Sequence, residues 1–322
     1  MPRCPPSPPA LAFHSLFHFA FDAAFRAAKQ YKISSNVVGT KFYDFFNFYS
    51  AADPTHGRVQ YVNKDTARKH NLTSTSAHSF VMRTDSKNKL SAGGPGRMSI
   101  RLESKKKYKT HVAVLDLRHM PQGAGTWPAY WMTGDNWPNL GELDIIENVN
   151  DASENVSSLH TSAGCTQPKS GRVMKGRVSN TDCNAFANGN AGCGVVTDSK
   201  RSFGPNFNKA GGGWFATERT DTKIKYWFWS RKDPHVPAEV RANKGTVHPE
   251  KWGKPTAVFN SQSCNISKKF GSHMFIINTS LCGDWAGNVY PGGMGACVKH
   301  VNENPGAFKS AYWDISRLSI YQ

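Results

Sequence analysis

Negative charge and long apolar runs are both scarce in this sequence. Its 322 residues hold 23 Asp and Glu against 40 Lys and Arg, for a formal net charge of +17. No stretch approaches the roughly 20 apolar residues of a membrane-spanning helix. The most apolar segment, residues 11–21, is interrupted by His14 and His18. Cys-x-x-Cys pairs are missing, which removes the common zinc modules. Gly-x-Ser-x-Gly is missing, and with it the strained serine elbow of many hydrolases. There is no glycine-rich phosphate loop and no His-Glu-x-x-His helix. Heptads and internal repeats are absent too, so neither a coiled coil nor a solenoid is expected.

What remains suits a loop-rich β protein. Hydrophobic residues make up 39% of the chain, and nine Trp and nineteen Phe can fill a core. Short strand patterns recur at 80–83, 97–103, 111–120, 223–230, 273–281 and 311–322, with Gly, Pro and Asn between them. Many short strands with little helical period argue for an all-β sandwich. In 97–103, Met98, Ile100 and Leu102 face one way and Arg97, Ser99, Arg101 and Glu103 the other. That polar face is either open surface or the floor of a groove. In 223–230 both faces are aromatic, which fits a buried or groove-facing strand. Residues 164–213 lack periodicity and read as long loops.

Residues 1–30 differ from the rest. Their basic start is weak, their apolar core short, and a small-x-small cleavage site is lacking. They are expected to be a poor signal peptide, an anchor or a disordered segment. The domain is expected over 31–322. Of seven cysteines, six fall in the second half of the chain. Six allow three disulfides, an oxidising compartment and fifteen pairings. Sequons at Asn71, Asn155, Asn265 and Asn278 agree with secretion.

The stretch Gly141-Glu142-Leu143-Asp144-Ile145-Ile146-Glu147 carries the chemistry. Three carboxylates lie within six residues on a strand-forming segment. Regular alternation puts Glu142 and Asp144 on one face and Glu147 on the other. One extra residue, a β-bulge, returns Glu147 to their face. Carboxyls crowded this way raise one another's pKa, which is useful where one must be ionised and another protonated, as in glycoside hydrolysis. An acidic strand edge or a divalent-metal loop are the plainer readings. Residues 121–170 carry one basic and six acidic side chains, an island of −5 in a basic chain.

The residues around the acids sharpen this. Gly125-Thr126-Trp127-Pro128-Ala129-Tyr130-Trp131 and Asp135-Asn136-Trp137-Pro138 lead in, and Leu159-His160-Thr161 follows. Together they resemble the catalytic region of glycoside hydrolase family 16, in its laminarinase-like branch with the bulged Glu-x-Asp-x-x-Glu strand. The resemblance runs from near Tyr31 to Gln322. It implies a β-jelly roll of two curved antiparallel sheets with long disulfide-held loops. It also implies a secreted or wall-bound monomer that needs no cofactor or metal and cuts β-1,3 or mixed β-1,3/1,4 glucans with retention. Carried over, Glu142 is the nucleophile, Glu147 the acid and base, and Asp144 the group between them. Arg101 and Trp285 match substrate-side positions, and His160 is expected beside the acids, either hydrogen-bonding one of them or contacting sugar, while Trp127 and Trp137 are expected sugar platforms. Trp131 is expected in the core. Ala124 replaces a cysteine of some relatives, and Leu140 and Asn148 replace glycines that often flank the acids.

Three other readings compete: a transglycosylase using the same carboxyls, a wall-binding lectin that has lost turnover, and a nucleic-acid binder resting on charge alone. The last has only the run 105–109 in its favour, which reads as a solvated turn. No nucleic-acid partner and no membrane span are expected.

Overall fold

The computed structural model describes residues 1–4, 29–243 and 245–322. The expectations for the N-terminal segment therefore lie mostly outside the described residues. Among those described, two large antiparallel sheets pack face to face as a β-jelly roll. One has eight strands, in spatial order Arg177–Asn180, Cys193–Val196, Val156–His160, Glu142–Glu147, Thr126–Thr133, Met274–Leu281, Arg101–Ser104 and Phe46–Phe48. The other runs Thr246–Val247, Tyr31–Val37, Tyr312–Tyr321, His111–His119, Gly213–Arg219, Lys223–Ser230 and Ala257–Asn260. Ser79–Arg83 and Thr73–Ser76 extend it from the closing strand.

Period-two alternation decides what lies between the sheets. Tyr130, Met132, Leu143, Phe275 and Ile277 point inward from the first sheet, and Leu115, Phe215, Tyr226, Phe228 and Leu318 meet them from the second. Lys223–Ser230 is buried on both faces, as its aromatic pattern requires. Ile224, Tyr226 and Phe228 enter the main core, while Trp227 and Trp229 join Trp214 and Trp252 in a second cluster outside the sheet. That strand is therefore buried and does not face the groove.

The polar face of 97–103 divides. The strand breaks at Ile100, so Arg97–Ser99 pairs with Val59–Tyr61 and only Arg101–Ser104 joins the first sheet. Arg97 is buried, paired with Asp85 at 2.9 Å and donating to the carbonyl of Val301. The groove-floor expectation thus fails for Arg97 and Ser99. An arginine can be buried there because its fork finds a carboxylate and carbonyls together.

The six late cysteines pair as Cys165–Cys264, Cys183–Cys193 and Cys282–Cys297. Two of the four sequons cannot carry a glycan on the folded chain. Asn155 and Asn278 are 1% and 8% exposed, and their carboxamides are spent on internal hydrogen bonds. Asn71 and Asn265 are exposed. The turn at 52–59 is structural: Asp53 accepts from Thr55, Gly57 and Ser280.

Candidate active site

The acid strand enters through Gly141, which sits at φ +77°. A Cβ there would lie 2.4 Å from the Phe270 ring. Only glycine satisfies both the left-handed backbone and this close approach. The strand then pairs regularly, Glu142 with Thr133 and Asp144 with Trp131, until Ile145 bulges out and Ile146 pairs with Tyr130. On the other side Asp144 pairs with Ser158 and Glu147 with Val156, so three residues are spent against two. The expected bulge is present. Glu142, Asp144 and Glu147 share the open face of the eight-stranded sheet, while Leu143 and Ile146 are in the core.

Two of the three carboxyls have a partner of their own. The Trp127 indole N–H donates to Glu147 Oε1 at 2.8 Å. His160 Nε2 pairs with Asp144 Oδ2 at 3.1 Å, and its Nδ1 meets Asn190 Oδ1 at 2.9 Å. The His160–Asp144 approach is an ion pair rather than a well-aligned hydrogen bond. Gly192 allows the loop to close over this histidine, because a Cβ there would lie 2.7 Å from the imidazole.

Burial pushes the Glu142 carboxyl above the usual carboxylate range, and the Asp144 charge adds to it. His160, the Trp137 indole N–H and Arg101 pull it back. Burial and Asp144 raise Glu147 in the same way; Trp127 and His160 oppose them, and the charge of Glu142 raises it further. Arg101 thus favours an ionised Glu142, and an ionised Glu142 favours a protonated Glu147. Burial works against a charged His160, but contact with Asp144 and the charges of all three acids lift it to about 10. The ring keeps its proton at neutral pH.

Trp127→Phe follows as a test of this tuning. The indole N–H lowers the pKa of Glu147, so removing it raises that pKa. Where Glu147 must be protonated, the alkaline limb of kcat/KM moves to higher pH. A pH–rate profile of the variant reads this directly.

The remaining candidates fall on the same face or its rim. Arg101 lies over the rings of Tyr49 and Trp131, at 4.5 and 5.1 Å, and pairs with Glu103 at 2.9 Å. Trp137 is 43% exposed and meets Phe186 edge-on at 6.5 Å. Trp285 is half-buried in the turn Gly283–Gly287 and packs edge-on against Trp127 at 5.8 Å. Trp131 is a correction: it is not in the core. As the cross-strand partner of Asp144 it must share the acid face, and its indole donates to Asn278 Oδ1 at 2.8 Å. Leu140 is exposed at the strand entry, and Asn148 donates to the carbonyl of Glu154 in the turn beyond it.

Sequence reasoning missed Asn190, Asn278 and Phe186. Phe186 is 75% exposed on the loop closed by Cys183–Cys193, where no period marks it. Among the described residues, Glu142, Asp144 and His160 form the one set of potential cation ligands with donor atoms within 4.8 Å of each other. A protonated His160 is a poor ligand, so the set fits a metal badly. A separate concavity of about 470 Å³, lined by Tyr43, Lys64 and Arg68 among others, lies away from the acids and holds no carboxyl pair.

A model of the XgeA-like, catalytic GH16 domain matches residues 46–321. The chain belongs to glycoside hydrolase family 16. Laminarinase 16A of Phanerochaete chrysosporium, solved with 6-O-glucosyl-laminaritriose in donor and acceptor sites, is 47% identical. The match covers 91% of this chain and all of that one, with a TM-score of 0.89. A family 16 β-1,3-glucosyltransferase described as elongating is 36% identical over 91% of this chain and all of that one, with a TM-score of 0.84. An endo-1,3(4)-β-glucanase of Arthroderma benhamiae is 42% identical over 304 residues, and a probable glycosidase of Schizosaccharomyces pombe 41% over 300. The alignments take in 91% and 92% of this chain but 65% and 70% of those relatives. This family 16 member therefore spans about two thirds of their length.

Proposed function

We propose that the chain is a retaining endo-β-glucanase that cuts β-1,3 or mixed β-1,3/1,4 glucans. The observation that carries this is the bulge at Ile145, which puts three carboxyls on one open face, Glu147 bonded to Trp127 and Asp144 paired with His160. Glu142 attacks the anomeric carbon as Glu147 gives its proton to the departing oxygen, and the C–O bond breaks. A glycosyl ester on Glu142 results. Glu147, now ionised, takes a proton from water as that water attacks the ester, and Glu142 leaves as carboxylate. Asp144 stabilises the protonated Glu147 beforehand and is itself held by His160. Arg101 favours the ionised Glu142. Trp137 and Trp285 offer apolar indole faces to sugar rings.

No cofactor takes part. We take residues 31–322 as the catalytic domain, acting alone outside the cell or in the wall. Three disulfides support that placement.

A second reading, transglycosylation, is favoured by the likeness to the elongating glucosyltransferase. The same ester then passes to a sugar hydroxyl instead of water. Reducing-sugar release from laminarin, lichenan and carboxymethylcellulose, with chromatography of the products, separates the two. Release from laminarin or lichenan with shorter products supports the glucanase. Products longer than the substrate support the transferase. No change in any glucan by the folded protein contradicts both and leaves a binding protein.

A further inference from the structure

We propose that Asn155 is a positioning residue for Glu147. Its carboxamide replaces the ladder hydrogen bonds lost at the bulge and so fixes the acid for proton transfer. The proposal rests on the reading of Glu147 as general acid.

The bulge costs the acid strand its regular pairing to Val156–His160, because three of its residues stand against two. Backbone groups there are buried and need partners. Asn155 supplies both kinds. Its Nδ2 donates to the carbonyl of Ile145, the extra residue, at 2.8 Å, and its Oδ1 accepts from the backbone N–H of Glu147 at 2.9 Å. Ser157 Oγ adds a second donor to the Ile145 carbonyl at 3.0 Å. Asn155 is itself held, its N–H donating to Ser202 Oγ at 2.9 Å and its carbonyl accepting from Thr197 at 2.8 Å.

The Asn carboxamide offers a donor and an acceptor side by side at any pH. Asp keeps the acceptor alone, and Ala keeps neither. Without the clamp the register is free to relax toward regular alternation, which would swing Glu147 toward the core face. Glu142 lies on the far side of the bulge, where pairing is regular, so its placement does not depend on Asn155. The same residues form the sequon Asn155-Val156-Ser157; the bulge gives them a use that glycosylation cannot.

The test exploits that asymmetry. Expulsion of 2,4-dinitrophenolate needs no proton from the enzyme, whereas expulsion of a sugar does. In Asn155→Ala, kcat/KM on laminarin is expected to fall about 100-fold, the cost of a misplacement near 1 Å. On a dinitrophenyl β-laminaribioside it should stay within about threefold, since that substrate bypasses the acid. Glu147→Ala is the control and should show the same split. An equal fall on both substrates with Asn155→Ala, while Glu147→Ala still splits them, would overturn the proposal; so would wild-type values on both. A Glu147→Ala protein without the split would instead overturn the general-acid reading. If Asn155→Ala does not fold, Asn155→Asp, which keeps the bond to Glu147 N, should show a smaller split. A uniform fall there would sink the idea equally.

Discussion

Glu142→Gln is expected to release no measurable reducing sugar from laminarin or lichenan, a loss of more than about 10⁴-fold. A single positioned proton transfer is worth about 10²–10⁴; with Glu142 as the proposed nucleophile, this substitution removes the covalent path itself. The same protein should be no less stable than the unmutated one. Burial and Asp144 raise the pKa of Glu142 in the folded chain. The folded state thus binds more protons than the unfolded one between the two pKa values, and stability falls as pH rises through that window. Gln removes the ionisation and the penalty together. Its thermal midpoint at neutral pH should match or exceed that of the wild type, and glucan binding should persist. A midpoint several degrees lower would mean that the carboxylate is favoured by its surroundings, contrary to the geometry.

Asp144→Asn should cost about 10²–10³-fold in kcat/KM, typical of one preorganised electrostatic group, and should move the pH profile toward acid. Asp144 raises both Glu142 and Glu147. Without its charge Glu147 loses its proton at lower pH, and the alkaline limb shifts down. Glu142 ionises more readily, and the acid limb shifts down with it. His160 loses the partner that helps keep it charged. A profile that shifts upward, or that keeps its position at reduced height, would show that Asp144 acts by another route. In the wild type, the stability contributed by His160 is fully present below the unfolded value near 6.5. It fades as pH rises through about 10.

The acid strand was legible because its message is local. Alternating aliphatics give the strand, the count of residues between Asp144 and Glu147 gives the bulge, and Gly141 marks the entry. The sandwich was legible from alternation in the strands, since the hydrophobic face of each sheet must be covered. What local sequence does not carry is which face of a strand turns inward when both are aromatic. Trp131 looks like core material, yet its register opposite Asp144 puts it on the open face. Arg97 and Ser99 look like a wet face, yet a break at Ile100 buries them. The loop residues 164–213 have no period to read, so Asn190 and Phe186 stayed hidden until the chain brought them to His160 and Trp137. Asn155 and Asn278 looked like glycan acceptors because a sequon says nothing about burial.

The most direct test of the central claim is the anomeric configuration of the first products from laminarin, followed by proton NMR. Two carboxyls working by double displacement require the β-anomer to appear first and the α-anomer to grow in only by mutarotation. An initial α-anomer would mean single displacement by water, and the assignment of Glu142 as nucleophile would fall.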